Sequence, residues 1–259
     1  MVFDLDGVIA DTHPIHLRAW RQLLQEVGRQ VSEEELEVVL GGRQREAILR
    51  HFLGRLSDAE IMFYGQRKDH LFYEGASEVR AIPGVVNLLD ELETAGLPKA
   101  LATSAGKRRA WLVLDRLGLT GRFQAVVTAE DVDNCKPDPS IFHLAATRLH
   151  VLPHQLLVAE DSEAGVRAAK SAGMMCLGIA GRARASRLSE QGADAVVPDF
   201  LSLSLADLLA RFPAAEPANG RANSMFEGVS PGIPGRRPFE SKSSPAGSNS
   251  IIRQKNELI

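Results

Sequence analysis

The chain has 259 residues, 44% hydrophobic and 24% charged, the balance of a globular protein with length for one large domain or a domain plus an insertion. A net charge of -3 without a basic stripe argues against a generic nucleic-acid binder. The sequence has no apolar run of membrane-spanning length, no basic segment leading into an apolar core at its start, and only two cysteines, Cys135 and Cys176, without C-x-x-C spacing; a cytoplasmic protein with reduced thiols is expected.

The apolar run Met1–Phe3 predicts a short buried strand that ends in Asp4 and Asp6, with Leu5 between them. Alternation along an extended chain puts the two carboxylates on one side and Leu5 on the other. Gly7 then allows a sharp turn. Two like charges at a strand end are costly unless a cation lies between them. The strand begins almost at Met1, so a few strand residues are expected to precede this start.

The pattern then becomes helical. Ile15, Ala19, Leu23, Leu24 and Val27 share one face and stop at Gly28. Ser32 followed by Glu33, Glu34 and Glu35 predicts a capped second helix toward Leu40, before the Gly41-Gly42 break. Ala47, Ile48 and Phe52 carry a third helix. Ser57 caps a fourth, with Ile61, Tyr64, Leu71 and Phe72 on its periodic face. No strand pattern occurs between about 13 and 78, which predicts a small helical bundle inserted directly after the first strand.

From Pro83 onward strands and helices alternate, the signature of a parallel sheet covered by helices. The predicted strands are Lys99–Thr103, Ala125–Thr128, Leu156–Ala159, Met175–Ile179 and Ala195–Val197. The predicted helices are Gly84–Ala95, Lys107–Leu117, Pro139–Leu149, Ala164–Ala172 and Leu203–Arg211. From about 214 the chain is rich in Pro, Gly, Ser, Asn and Arg, a composition that predicts disorder. The expected division is a core from 1–12 and 79–212, a helical insertion over 13–78 and a disordered tail over 213–259.

Ligands of open parallel sheets bind beyond the carboxyl ends of the strands. After the first strand stand Asp4 and Asp6; after the second, Thr103 and Ser104; after the third, Lys136-Pro137; after the fourth, Glu160, Asp161 and Ser162. Alone, each has an ordinary reading as a turn carboxylate, a helix cap or a solvated lysine. Together and in this order they predict phosphoryl transfer. The carboxylates form an oxygen cage suited to Mg²⁺ with retained waters. Lys136, the Thr103 hydroxyl and neighbouring N–H groups suit phosphate oxygens. Asp4 is the expected nucleophile, forming an aspartyl-phosphate, and Asp6 the expected general acid/base.

These motifs resemble those of the haloacid dehalogenase superfamily over about residues 1–200. The resemblance implies an α/β fold: a Rossmann-like three-layer parallel-sheet core with an inserted α-helical cap domain. It also implies that Asp6 gives its backbone carbonyl to Mg²⁺, that Glu160 and Asp161 complete the metal site, and that Thr103, the Ser104 N–H and Lys136 hold the phosphate. An intact Asp6 favours phosphate esters over the dehalogenase and phosphonate-cleaving branches. Within the superfamily, Thr12, His16 and Trp20 are similar to the hinge and early cap of the β-phosphoglucomutase and sugar-phosphatase branch. Arg45 resembles its gripper of a second phosphate, and Lys68 a cap lysine facing substrate. One stretch departs: Ala105-Gly106-Lys107-Arg108 lacks polar side chains that the mutases carry, leaving Lys107 and Arg108 to compensate by charge.

The resulting expectation is a Mg²⁺-dependent phosphatase acting on a small phosphorylated metabolite, a sugar phosphate, as a monomer without nucleic-acid or membrane partners. β-Phosphoglucomutase is the alternative. A catalytically silent binding protein on the same fold is the alternative of another class, and it is disfavoured because no motif carboxylate is missing.

Overall fold

The computed structural model describes residues 1–213; the expected disordered tail lies outside the described residues. Strand β1, Val2–Phe3, is followed by β2, Ala10–Asp11, and then by helices α1, His13–Glu26, α2, Glu33–Leu36, α3, Arg45–Leu53, and α4, Asp58–Glu74. Strand β3, Arg80–Ala81, pairs antiparallel with β2, Ala10 opposite Ala81 and Asp11 opposite Arg80. This two-residue ribbon is where the helical insertion leaves the core and returns to it.

The remainder alternates as the sequence predicts, with α9 added: α5, Val85–Thr94; β4, Ala100–Ala102; α6, Lys107–Arg116; β5, Ala125–Val127; α7, Ser140–Leu149; β6, Leu157–Glu160; α8, Glu163–Ser171; β7, Met175–Ile179; α9, Arg182–Glu190; β8, Ala195–Val197; α10, Leu205–Arg211. The sheet has order β5-β4-β1-β6-β7-β8, all neighbours parallel, with β1 at its centre. β1 reads as apolar on both faces because it is covered on both. Phe3 packs with α5, α6 and Phe200 on one side; Val2 joins Ile141, Phe142 and Val166 of α7 and α8 on the other. The insertion has its own apolar centre, built from Trp20, Leu23, Leu24, Leu36, Leu49, Phe52 and Leu71.

α2 and α4 begin with the capping boxes read from Ser32 and Ser57, each closed by a glutamate three residues on. Helix α9 escaped prediction because it is polar and buries only Leu188. Among the described residues no helix is long and apolar enough to cross a membrane.

Candidate active site

Parallel pairing brings the carboxyl ends of β1, β4, β5 and β6 to one edge. Asp4 extends β1 by one residue, its N–H donating to the Ala159 carbonyl at 3.0 Å; Thr103 extends β4 the same way, onto Val127 at 2.9 Å. Glu160 closes β6, and Lys136 lies in the loop after β5, joined to Pro137 by a cis peptide. The four strand-end motifs meet around one cavity of about 980 Å³ between the sheet edge and the helical insertion.

At its floor, the buried Lys136 ammonium donates to Asp4 Oδ1 at 2.6 Å, Glu160 Oε1 at 2.5 Å and the Ala102 carbonyl at 3.0 Å. Burial works against its charge, but Asp4 and Glu160 outweigh that and hold it protonated. Glu160 Oε2 takes the Asp161 and Ser162 N–H groups and the Ser162 hydroxyl, at 2.9, 2.9 and 3.0 Å. Both oxygens of Glu160 are therefore engaged. Burial, together with Glu160, Asp161 and Asp6, raises the Asp4 carboxyl well above the usual carboxylate range despite Lys136. The cluster is short of positive charge.

That shortage is a test of metal fit, and the donors pass it. Asp4, Glu160 and Asp161 are all buried, with one carboxylate oxygen of each lying within 4.8 Å of the others; with Glu160 already engaged, Asp4 and Asp161 are the carboxylates left to offer one. Hard oxygen donors of this kind suit Mg²⁺. A divalent cation there would hold Asp4 ionised, as a nucleophile must be.

Asp6 has a different environment. Thr12 Oγ1 donates to its Oδ1 at 2.6 Å, and Arg109 Nη1 to its Oδ2 at 2.7 Å. His16 Nε2 lies 3.4 Å from Oδ1 and 2.7 Å from the same Arg109 nitrogen, while its Nδ1 meets Lys68 Nζ at 2.7 Å. Burial would raise the Asp6 carboxyl, but Arg109, His16 and Thr12 hold it well below the usual range. Burial and Lys68 lower His16 to about 3. Burial and Arg109 lower Lys68 to about 7. Two carboxylates separated by one residue are thus driven in opposite directions.

Thr103 is buried and Ser104 exposed, and both line the cavity with Lys136. The Thr103 hydroxyl oxygen accepts from the Ala105 N–H at 3.0 Å, leaving its proton to donate. His16, Trp20, Arg45 and Lys68 also line the cavity. Trp20 is at the same time core of the insertion. Arg45 is turned to Asp69, at 2.6 Å. Of the basic pair expected to compensate the departure, Arg108 lines the cavity and stacks on Tyr73 at 4.9 Å; the second cation there is Arg109, not Lys107. Arg109 and His13, which meets Asp161 Oδ2 at 2.9 Å, were not singled out from the sequence. The signals were a basic run opening α6 and a histidine inside the Asp11-Thr12-His13-Pro14 stretch. Arg184 on the unpredicted α9 left none.

Residues 1–179 match the family model described as haloacid dehalogenase-like hydrolase. A phosphorylated carbohydrates phosphatase of Thermotoga maritima is 36% identical over 179 residues, 67% of this chain and 81% of that protein. The β-phosphoglucomutase of Bacillus subtilis is 32% identical over 189 residues, 69% of this chain and 82% of that protein. A solved β-phosphoglucomutase from Clostridium difficile superposes with a TM-score of 0.72 at 28% identity, covering 82% of this chain and 95% of the other.

Proposed function

The chain belongs to the haloacid dehalogenase-like hydrolases, and from that premise we propose that it is a Mg²⁺-dependent phosphatase of a small sugar phosphate. The observation that carries the reading is the split between its two central carboxylates. Asp4 keeps Oδ2 free of hydrogen bonds among the described residues while Lys136 holds Oδ1; Asp6 is engaged on one oxygen by Thr12 and on the other by Arg109 of α6. We take residues 13–78 as a cap over a core of 1–12 and 79–212.

In this reading Lys136, the Thr103 hydroxyl and the Ser104 N–H hold the transferring phosphate in line with the Asp4 carboxylate. Asp4 attacks phosphorus, the ester bond breaks, and Asp6 gives the leaving oxygen its proton. Asp6 must first take that proton from solvent, its carboxylate having parted from Arg109. A water deprotonated by Asp6 then attacks the aspartyl-phosphate and frees Asp4. Asp4 Oδ2, Asp161 Oδ1 and the Asp6 carbonyl would hold Mg²⁺, with Glu160 fixed behind them by Lys136. The metal supplies charge neutralisation that lets a carboxylate approach a phosphate dianion. The two free thiols and the acidic net charge support a cytoplasmic monomer without nucleic-acid partners.

The second reading, β-phosphoglucomutase, is favoured by the cap-side cations Arg45 and Lys68 in the cavity. Phosphate release over a panel of sugar phosphates with Mg²⁺ tests the first. Supplied with β-glucose 1-phosphate and a trace of the 1,6-bisphosphate, a phosphatase liberates phosphate; glucose 6-phosphate without free phosphate would select the mutase. Asp4→Asn is expected to lose at least ~10³-fold in kcat in either case, and turnover by that variant would overturn the mechanism.

A further inference from the structure

Asp161 is held in a way that none of the strand-end motifs explains. His13 Nε2 lies 2.9 Å from its Oδ2. Arg184 Nη2 lies 3.1 Å from the same oxygen and also donates to the Asp161 main-chain carbonyl. Arg184 Nη1 reaches His13 Nδ1 at 3.4 Å, and Nη2 the carbonyl of Leu40 in the insertion, also at 3.4 Å. With its proton on Nε2, the His13 ring donates to the carboxylate and offers Nδ1 to the guanidinium. All the donors converge on Oδ2; among the described residues none addresses Oδ1.

The backbone is built to admit this contact. Gly7 has φ +75, and a β-carbon there would sit 2.5 Å from Asp161 Oδ2 and 2.6 Å from His13 Nε2. Any side chain at position 7 would thus intrude on the pair.

The consequence is a count of free oxygens. Glu160 has none, since Lys136 takes Oε1 and three donors take Oε2. Asp4 has Oδ2. Asp161 has Oδ1. A site offering single carboxylate oxygens suits Mg²⁺, which keeps an octahedron filled out with water. Ca²⁺ takes six to eight oxygens at longer range and readily accepts both oxygens of one carboxylate. We propose that His13 and Arg184 are positioning residues that pin Asp161 Oδ2, restrict Asp161 to one-oxygen coordination and so set the preference for Mg²⁺ over Ca²⁺. This rests on the metal reading proposed above.

The experiment is calorimetric titration of the full chain with MgCl₂ and, separately, CaCl₂. His13→Leu and Arg184→Met remove the donors; His13→Gln and Arg184→Lys keep one. Loss of such supporting hydrogen bonds costs ~10–100-fold in metal affinity. Mg²⁺ binding is therefore expected to weaken ~10–100-fold in the first pair while Ca²⁺ binding holds or tightens, and the Mg²⁺/Ca²⁺ ratio is expected to recover in the second. Equal losses for both ions, or unchanged Mg²⁺ binding, would overturn the clamp while leaving the metal site standing. Wild-type protein that binds neither ion would overturn the metal site and the clamp with it. Circular dichroism melts identify any variant that fails to fold; the His13→Gln and Arg184→Lys pair then decides, since a twofold or smaller change in their Mg²⁺/Ca²⁺ ratio is required.

Discussion

Lys136 makes the sharpest prediction among single side chains. Its ammonium is buried and shared by two buried carboxylates and a carbonyl. Removing one member of such a group leaves uncompensated charge in the interior, which costs ~3–5 kcal/mol. Lys136→Ala is expected to lose about that much in urea unfolding without metal. Part of the loss should return with millimolar Mg²⁺, because the ion would bring positive charge against Asp4. A stability equal to wild type in metal-free buffer would mean that Asp4 and Glu160 do not depend on this cation. Lys136 was legible in the sequence because it follows a predicted strand and precedes a proline. Arg109 was not: it stands 103 residues from Asp6, and they become partners only where the Arg109 side chain meets His16 of α1 and Phe72 of α4. Local spacing carries no record of that encounter.

Among elements, the strand-helix rhythm after Pro83 was legible because the strands are apolar on both faces and the covering helices other than α9 keep a regular stripe. The insertion was legible from its caps at Ser32 and Ser57. The β2–β3 ribbon was not, because two-residue strands are too short to show a period. Nor was the seat of the loop between α2 and α3 on the core. There Gly42 has φ +74, and a β-carbon on it would lie 2.6 Å from Ser162 Oγ and 3.1 Å from Ala164 Cβ. Gly42→Ala must lift this loop off the start of α8. The expected result is a kcat/KM lower by ~10-fold or more, with the melting temperature shifted by only a few degrees. Gly28→Ala is the control: its φ of +78 imposes the same backbone strain, but nothing lies within 4 Å of the added carbon. Equal kinetic losses in the two variants would assign the effect to strain alone rather than to docking.

At the scale of the whole molecule, the helical insertion holds a charge that works against folding. Lys68 is buried between the rings of Trp20 and Phe72, at 5.9 and 5.3 Å, with Nζ 2.7 Å from His16 Nδ1. Arg109 and Arg45 face it with like charge and Asp69 and Asp6 with opposite charge; with burial the leading cause, its amine is lowered to about 7. An unfolded lysine titrates near 10.4. Between these values the unfolded chain binds a proton that the folded chain has released, so stability from this group rises as pH rises from about 7 to about 10. Each unit of separation is worth ~1.4 kcal/mol, so the gain amounts to a few kcal/mol. Lys68→Met removes the charge and keeps the volume. It is expected to be the more stable protein by urea unfolding at pH 7, with the advantage shrinking steadily toward pH 10 as wild type sheds its penalty. A wild-type-minus-variant difference that stays flat across this range would show that Lys68 keeps an ordinary titration in the folded protein. The residue would then be a solvated helix charge rather than a cation stored against the cavity, and the insertion would lose its strongest claim to contact substrate.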